Sequence, residues 1–164
     1  MKYTKTISIV LVITLLAAIG IYTYTQKQTQ TRQEYIHDRG TMVMPFDLDK
    51  TTHVFTKTDQ GGVQKIQAKN PQDSEQINLI RGHLKKEKEL FDSGDFSDPS
   101  ALHGEAMPGL HVLEQSADKL QVEYSDLPDG AQLTYLTDDK EVIDALHMWF
   151  MAQLQDHGMD AMEH

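Results

Sequence analysis

The chain has 164 residues, a formal charge of −10 at pH 7 and no cysteine. Without cysteine it can form no disulfide, no zinc–thiolate site and no thiol nucleophile. Its acidic balance opposes binding to nucleic-acid phosphates, which depends mainly on Lys and Arg, so we expect no nucleic-acid partner. Eight His and eight Met are compatible with a site for a soft transition metal.

Residues 7–24 carry no charge and are long enough to span a bilayer as a helix, at the short end of the usual ~17–25 residues. Lys2 and Lys5 precede this run and favour a cytoplasmic N-terminus. A cleaved signal peptide is the alternative, but no clear cleavage site precedes the polar region, so we expect residues 1–24 to be retained as an anchor. With either reading the remainder is exported from a bacterial cell, to the periplasm or the cell surface.

Three further regions follow the anchor. Residues 25–40 are rich in Gln and Thr without an apolar period, which is typical of a polar linker or of an extension of the anchor helix. Residues 41–158 contain the periodic patterns of a globular domain. Residues 159–164 hold Met159, Met162 and His164 and are predicted to be a flexible tail.

The globular region contains two predicted β-hairpins, each followed by a helix. The strand-like segments are 52–58, 63–69, 119–126 and 131–137, and turn residues join them in pairs at 59–62 and 128–130. Asn70 and Pro71 are predicted to start the first helix, with Ile77, Ile80, Leu84 and Phe91 as its apolar stripe. Pro99 and Pro108 indicate two short helices before the second hairpin.

The last predicted helix has the clearest signals. Asp138 can cap its first turn, Glu141 completes a capping box, and Gly158 is a plausible end. Its apolar stripe consists of Ile143, Leu146, Phe150 and Leu154.

These elements predict an α+β fold with one antiparallel sheet and two helices on one face, preceded by one transmembrane helix. The two β-hairpin–helix units align weakly, Gly-x-Gln at 62–64 with 130–132 and Ile77-Asn78 with Ile143-Asp144. We therefore also predict a pseudo-duplication.

Three runs carry a resemblance to a known family: FDLDKTTHVFTKTDQGGVQ, GDFSDPSALHGEAMPGL and LPDGAQLTYLTDDKEVIDALHMWFMAQLQDHG. Together they resemble small exported bacterial proteins that often carry the name aspartate carbamoyltransferase. That family has no established biochemical role, so the resemblance implies an exported domain and no activity. True carbamoyltransferases have a Ser-Thr-Arg-Thr phosphate-binding run, which is absent here, and carbamoyltransferase activity is not expected.

Four residues are the candidate metal ligands: His103, Met107, His147 and His157. His103 and Met107 lie four residues apart in a loop between two short helices, and His147 and His157 flank the stripe of the last helix. Imidazole and thioether ligands without thiolate suit copper. The function predicted is a membrane-anchored extracytoplasmic binding module, with copper as the possible cofactor.

Two alternatives remain open. The four residues can equally be helix-flanking His and core Met, and the chain would then be a structural domain that binds an envelope protein partner. An enzyme is the third class, although no His-Glu-x-x-His, Gly-x-Ser-x-Gly or P-loop motif is present, and no catalytic residue is assigned.

Overall fold

A computed structural model describes residues 2–163, with side chains from residue 10 onward. Five α-helices and five strands follow one another in an α+β fold, as predicted. The helices are α1 (Lys2–Val43), α2 (Ser74–Asp92), α3 (Ser97–His103), α4 (Leu110–Gln115) and α5 (Lys140–His157). The strands are β1 (Thr51–Thr58), β2 (Gly61–Ala68), β3 (Gln121–Leu127), β4 (Gly130–Leu136) and β5 (Ala161–Glu163).

Helix α1 is long and apolar enough to span a membrane. An 18-residue window within it reaches a mean hydropathy of 1.4, and large apolar side chains between Val10 and Ile21 are uncovered by the rest of the protein. Residues 25–40 form an extension of the same helix. This extension joins the domain core, because Ile36 is 0% exposed.

One five-stranded sheet, in the order β3-β4-β2-β1-β5, forms the centre of the domain. The neighbouring strands from β3 to β1 are antiparallel, whereas β5 pairs parallel to β1 through His53 and Ala161. The sheet is therefore mixed and not wholly antiparallel. Part of the predicted tail, Ala161–Glu163, forms β5 and pairs with β1.

Helices α2 and α5 cover the same face of the sheet. The ring of Tyr135 on β4 lies 6.3 Å from the ring of Phe91 on α2 and 5.7 Å from that of Phe150 on α5, centre to centre. The register places Leu133 and Ile66 on this face too, and both are buried. Helix α2 packs mainly on β3 and β4, and α5 on β1 and β2. The pseudo-duplication itself stays a prediction.

Helices α2 and α5 both begin slightly later than the capping residues in the sequence predicted. Helix α2 is capped by Asp73, whose carboxylate accepts from the Gln76 amide at 3.2 Å, because Asn70 closes a turn on Gln72 instead. Helix α5 is capped by Asp139. Its predicted end at Gly158 is confirmed, and this residue has a φ of 56°.

Gly109 is expected to tolerate no side chain. It has a φ of 82°, and an added Cβ would lie 2.0 Å from the carbonyl oxygen of Ala145 on α5. Gly109→Ala should lower the free energy of unfolding by about 3 kcal/mol or more, since backbone strain adds to steric overlap in the core. Gly104→Ala is the matched control, with a φ of 95° and no atom within 4 Å of the added Cβ. It should cost only about 1–3 kcal/mol, the backbone strain alone, and a loss as large as that of Gly109→Ala in denaturant titration would contradict the packing argument.

Candidate functional site

A cavity of about 50 Å³ lies between the covered face of the sheet and the helices. Four histidines from four elements line it: His53 on β1, His83 on α2, His103 on α3 and His157 on α5. Met44, just after α1, lines it too. One water needs about 10–15 Å³ by this measure, so the cavity has room for a metal ion with a water, or for a few waters.

Three of the four imidazole rings pack directly against one another. The rings of His53 and His157 are stacked, with centres 4.7 Å apart and planes 12° from parallel. The ring of His103 meets that of His157 edge-on at 5.1 Å. These contacts bring ring nitrogens from three different elements to one side of the cavity.

Burial keeps several of these rings uncharged. The pKa of His53 is lowered to about 3, mainly by burial and also by His83 and His103, while a hydrogen bond to the backbone carbonyl of Asp160 opposes the shift. Burial also lowers the pKa of His83 to about 4 and that of His157 well below its ordinary value. At neutral pH these imidazoles are therefore neutral, the form that binds metal ions.

Three buried polar atoms in the described part of the chain have no hydrogen-bond partner: Nδ1 of His53, Oε1 of Glu87 and Nε1 of Trp149. All three residues line this one cavity and are at most 4% exposed. An unpaired buried polar atom costs about 1–3 kcal/mol, so three at one place make this cavity a candidate site for a polar ligand.

Glu87 is held as a neutral acid. Burial, together with a hydrogen bond with Asp98, raises its pKa to about 8. Asp98 also accepts a hydrogen bond from Nζ of Lys86 at 2.6 Å. The cavity wall therefore presents a carboxylic acid that can donate or accept a hydrogen bond, and that becomes an anion if a cation enters.

His103 is oriented by a carboxylate. Its Nδ1 lies 2.8 Å from Oδ2 of Asp156. Arg32 on α1 donates to the same carboxylate, from Nη2 to Oδ2 at 2.6 Å and from Nε to Oδ1 at 3.0 Å. Burial raises the pKa of Asp156, but the hydrogen bonds from His103 and Arg32 outweigh it and lower this pKa to about 2. A carboxylate on one ring nitrogen is the usual partner of a metal-binding histidine, because it leaves the other nitrogen for the ion.

The structure brings together two of the four candidate ligands. His103 and His157 line the cavity, whereas Met107 is a buried residue beside an open groove on the far side of His103. His147 lies ten residues before His157, about 15 Å along α5. There its Nε2 is 2.8 Å from the carbonyl oxygen of Gly61, at the turn between β1 and β2.

Three cavity residues were missed from the sequence: Met44, His53 and His83. His53 is only 2% exposed. The alternation of β1 held the signal, because His53 shares a face with Phe55. His83 lies beside the apolar stripe of α2, and its ring packs against that of Phe46 with centres 5.5 Å apart, a contact that the pattern of α2 alone does not predict.

Comparison of the chain with protein-family models, with curated proteins and with solved structures finds no match. The resemblance of the three sequence runs to a family of exported proteins therefore stays a prediction. Within the side chains described, residues 10–163, no three His, Asp or Glu residues are already arranged to hold a metal ion.

Proposed function

We propose that this protein is a membrane-anchored, extracytoplasmic binding module that takes a transition-metal ion, Cu(I) first, into the histidine-lined cavity. The ligands are drawn from His53, His103 and His157, with the thioether of Met44. The observation that carries the proposal is the convergence of four imidazoles and three unpaired polar atoms on one cavity.

The ligand chemistry favours copper over other metals. Neutral imidazole suits copper and zinc, and thioether sulfur selects Cu(I). Met44 is 8% exposed and lines the cavity with the histidines, so a mixed nitrogen and sulfur set is within reach. The rings of His53 and His157 stack on one another, and metal binding rotates these two rings about their side-chain torsions until ring nitrogens point at the ion, while Asp156 holds the ring of His103.

The location proposed follows from the first helix. Lys2 and Lys5 before the apolar run favour a cytoplasmic N-terminus, and one crossing by α1 then puts the domain on the outer side. An exported domain that carries no thiolate can keep copper ligands in an oxidising compartment, because His and Met form no disulfides.

The test is a competition titration of Cu(I) against a chromogenic chelator, on the full chain in detergent micelles. Wild-type protein should bind one equivalent. His157→Gln should raise the dissociation constant at least 10-fold, because it removes a ring at the centre of the cluster. His111→Gln is the control, since His111 is exposed on α4 and distant from the cavity walls.

A pair of methionine substitutions separates ligation from packing. Met44→Leu and Met107→Leu each remove a sulfur from a buried site with little change in volume. Only Met44→Leu should weaken Cu(I) binding. Equal affinities in wild type, His157→Gln and Met44→Leu would overturn the proposal, and so would the absence of binding. Absence of binding would favour the alternative of an envelope interaction domain.

A further inference from the structure

The part of α1 outside the apolar run is hydrogen-bonded to two of the four segments that carry the cavity histidines, those of His103 and His157. Nε2 of Gln33 donates to the carbonyl oxygen of Gln155 at 2.9 Å, next to the segment of His157. Arg39 donates to the carbonyl oxygen of Ala101, two residues before His103. His37 lies 3.2 Å from Asp160, three residues after His157.

Arg32 makes the contact that reaches the cavity itself. Its Nε and Nη2 donate to the two oxygens of Asp156 at 3.0 and 2.6 Å, and Nη2 also donates to the backbone carbonyl of His103 at 2.7 Å. Asp156 in turn accepts from Nδ1 of His103 at 2.8 Å. One guanidinium therefore fixes both the backbone and, through the carboxylate, the ring of His103.

We infer that Arg32 is a positioning residue for His103 and that it couples occupation of the cavity to the anchor helix. The inference rests on the proposed function. With Nδ1–H held by Asp156, the ring presents Nε2 to the ion, and the planar fork of Arg32 holds the carboxylate in the orientation that this requires.

The coupling works in both directions. If Arg32 and its helix set the affinity of the cavity for Cu(I), then Cu(I) changes the stability of the contacts between α1 and the domain by the same factor. Metal binding in the cavity thus changes the contacts of α1 with the domain directly, through residues 32–40 and without any additional element.

The first test compares Cu(I) affinities of full-chain variants in micelles. Arg32→Gln should weaken binding about 10-fold, the usual effect of removing a group that orients a metal-binding histidine. Arg32→Lys should be intermediate, because lysine keeps the charge but loses the fork. Lys27→Gln removes the same charge from an exposed position of α1 and should bind like wild type.

The second test is hydrogen exchange of the full chain with and without one equivalent of Cu(I). The amides of residues 32–40 and 101–104 should change their exchange rates in wild type and much less in Arg32→Gln. Cu(I) binding that is independent of Arg32, or that leaves α1 exchange unchanged, would overturn this inference and leave the metal site standing. No Cu(I) binding in wild type would overturn both.

Discussion

Glu87→Gln is expected to stabilise the metal-free protein at pH 8 by roughly 2–4 kcal/mol. Glu87 has a folded-state pKa of about 8 because it is buried. Above pH ~4.5 the unfolded chain loses this proton while the folded protein keeps it. The stability that Glu87 contributes is thus complete below its unfolded pKa and lost as the pH rises through 8. Glutamine stays neutral and still offers an N–H to Asp98.

The cavity histidines have the opposite pH dependence. The pKa of His53 is lowered to about 3, that of His83 to about 4, and that of His157 well below the ordinary value. Below pH ~6.5 the unfolded chain therefore binds protons that the folded protein excludes, and stability falls. Together with Glu87, these groups give a stability maximum near pH 6.5.

Trp149 reports the unfolding, since it is the only tryptophan and is 1% exposed. Denaturant titrations of the full chain in micelles between pH 5 and 8.5 give the free energy of unfolding at each pH. On the alkaline side of the maximum (the alkaline arm), this free energy should decline with pH in wild type and stay constant in Glu87→Gln. Glu89→Gln, on an exposed position of the same helix, should leave the arm unchanged. A wild-type arm that is already flat would show that Glu87 ionises as an ordinary carboxylate.

Ile36→Asp is expected to separate the domain from its helix at a cost of roughly 3–5 kcal/mol, the usual penalty of an uncompensated buried charge. Ile36 is 0% exposed in the hydrophobic core, although it lies in a segment of α1 that is otherwise polar. Residues 25–40 would then be a structural part of the domain and not a spacer.

Met42→Asp is the matched control, because Met42 lies on the same helix and is 77% exposed. It should change the free energy of unfolding by less than about 0.5 kcal/mol. The two variants are compared by denaturant titration of Trp149 fluorescence. Equal stabilities would mean that the domain does not depend on α1, and the coupling through Arg32 would lose its structural basis.

Local patterns in the sequence were sufficient to predict most of the fold. The turn at 128–130, the alternation of β4 and the stop at Gly158 each depend on near neighbours in the chain, and all three are observed. The pairing of β5 with β1 was not predictable, because three residues carry no period and their register depends on a strand about a hundred positions earlier.

The site was predicted only in part, for a related reason. His103 was proposed because it lies four residues before Met107 in a loop, and His157 because it flanks the apolar stripe of the last helix. Asp156 and Arg32 have no pattern of their own, and their pairing spans 124 positions. A polar residue such as His53 faces a cavity or water depending on which helices cover its strand. The sequence of the strand itself does not show this.

X-ray absorption spectroscopy of the full chain loaded with one equivalent of Cu(I) tests the central claim most directly. We expect imidazole nitrogens and one sulfur around the copper, with the sulfur lost in Met44→Leu and kept in Met107→Leu. A sulfur that persists in Met44→Leu, or a first shell without imidazole, would contradict the assignment of this cavity as a copper site.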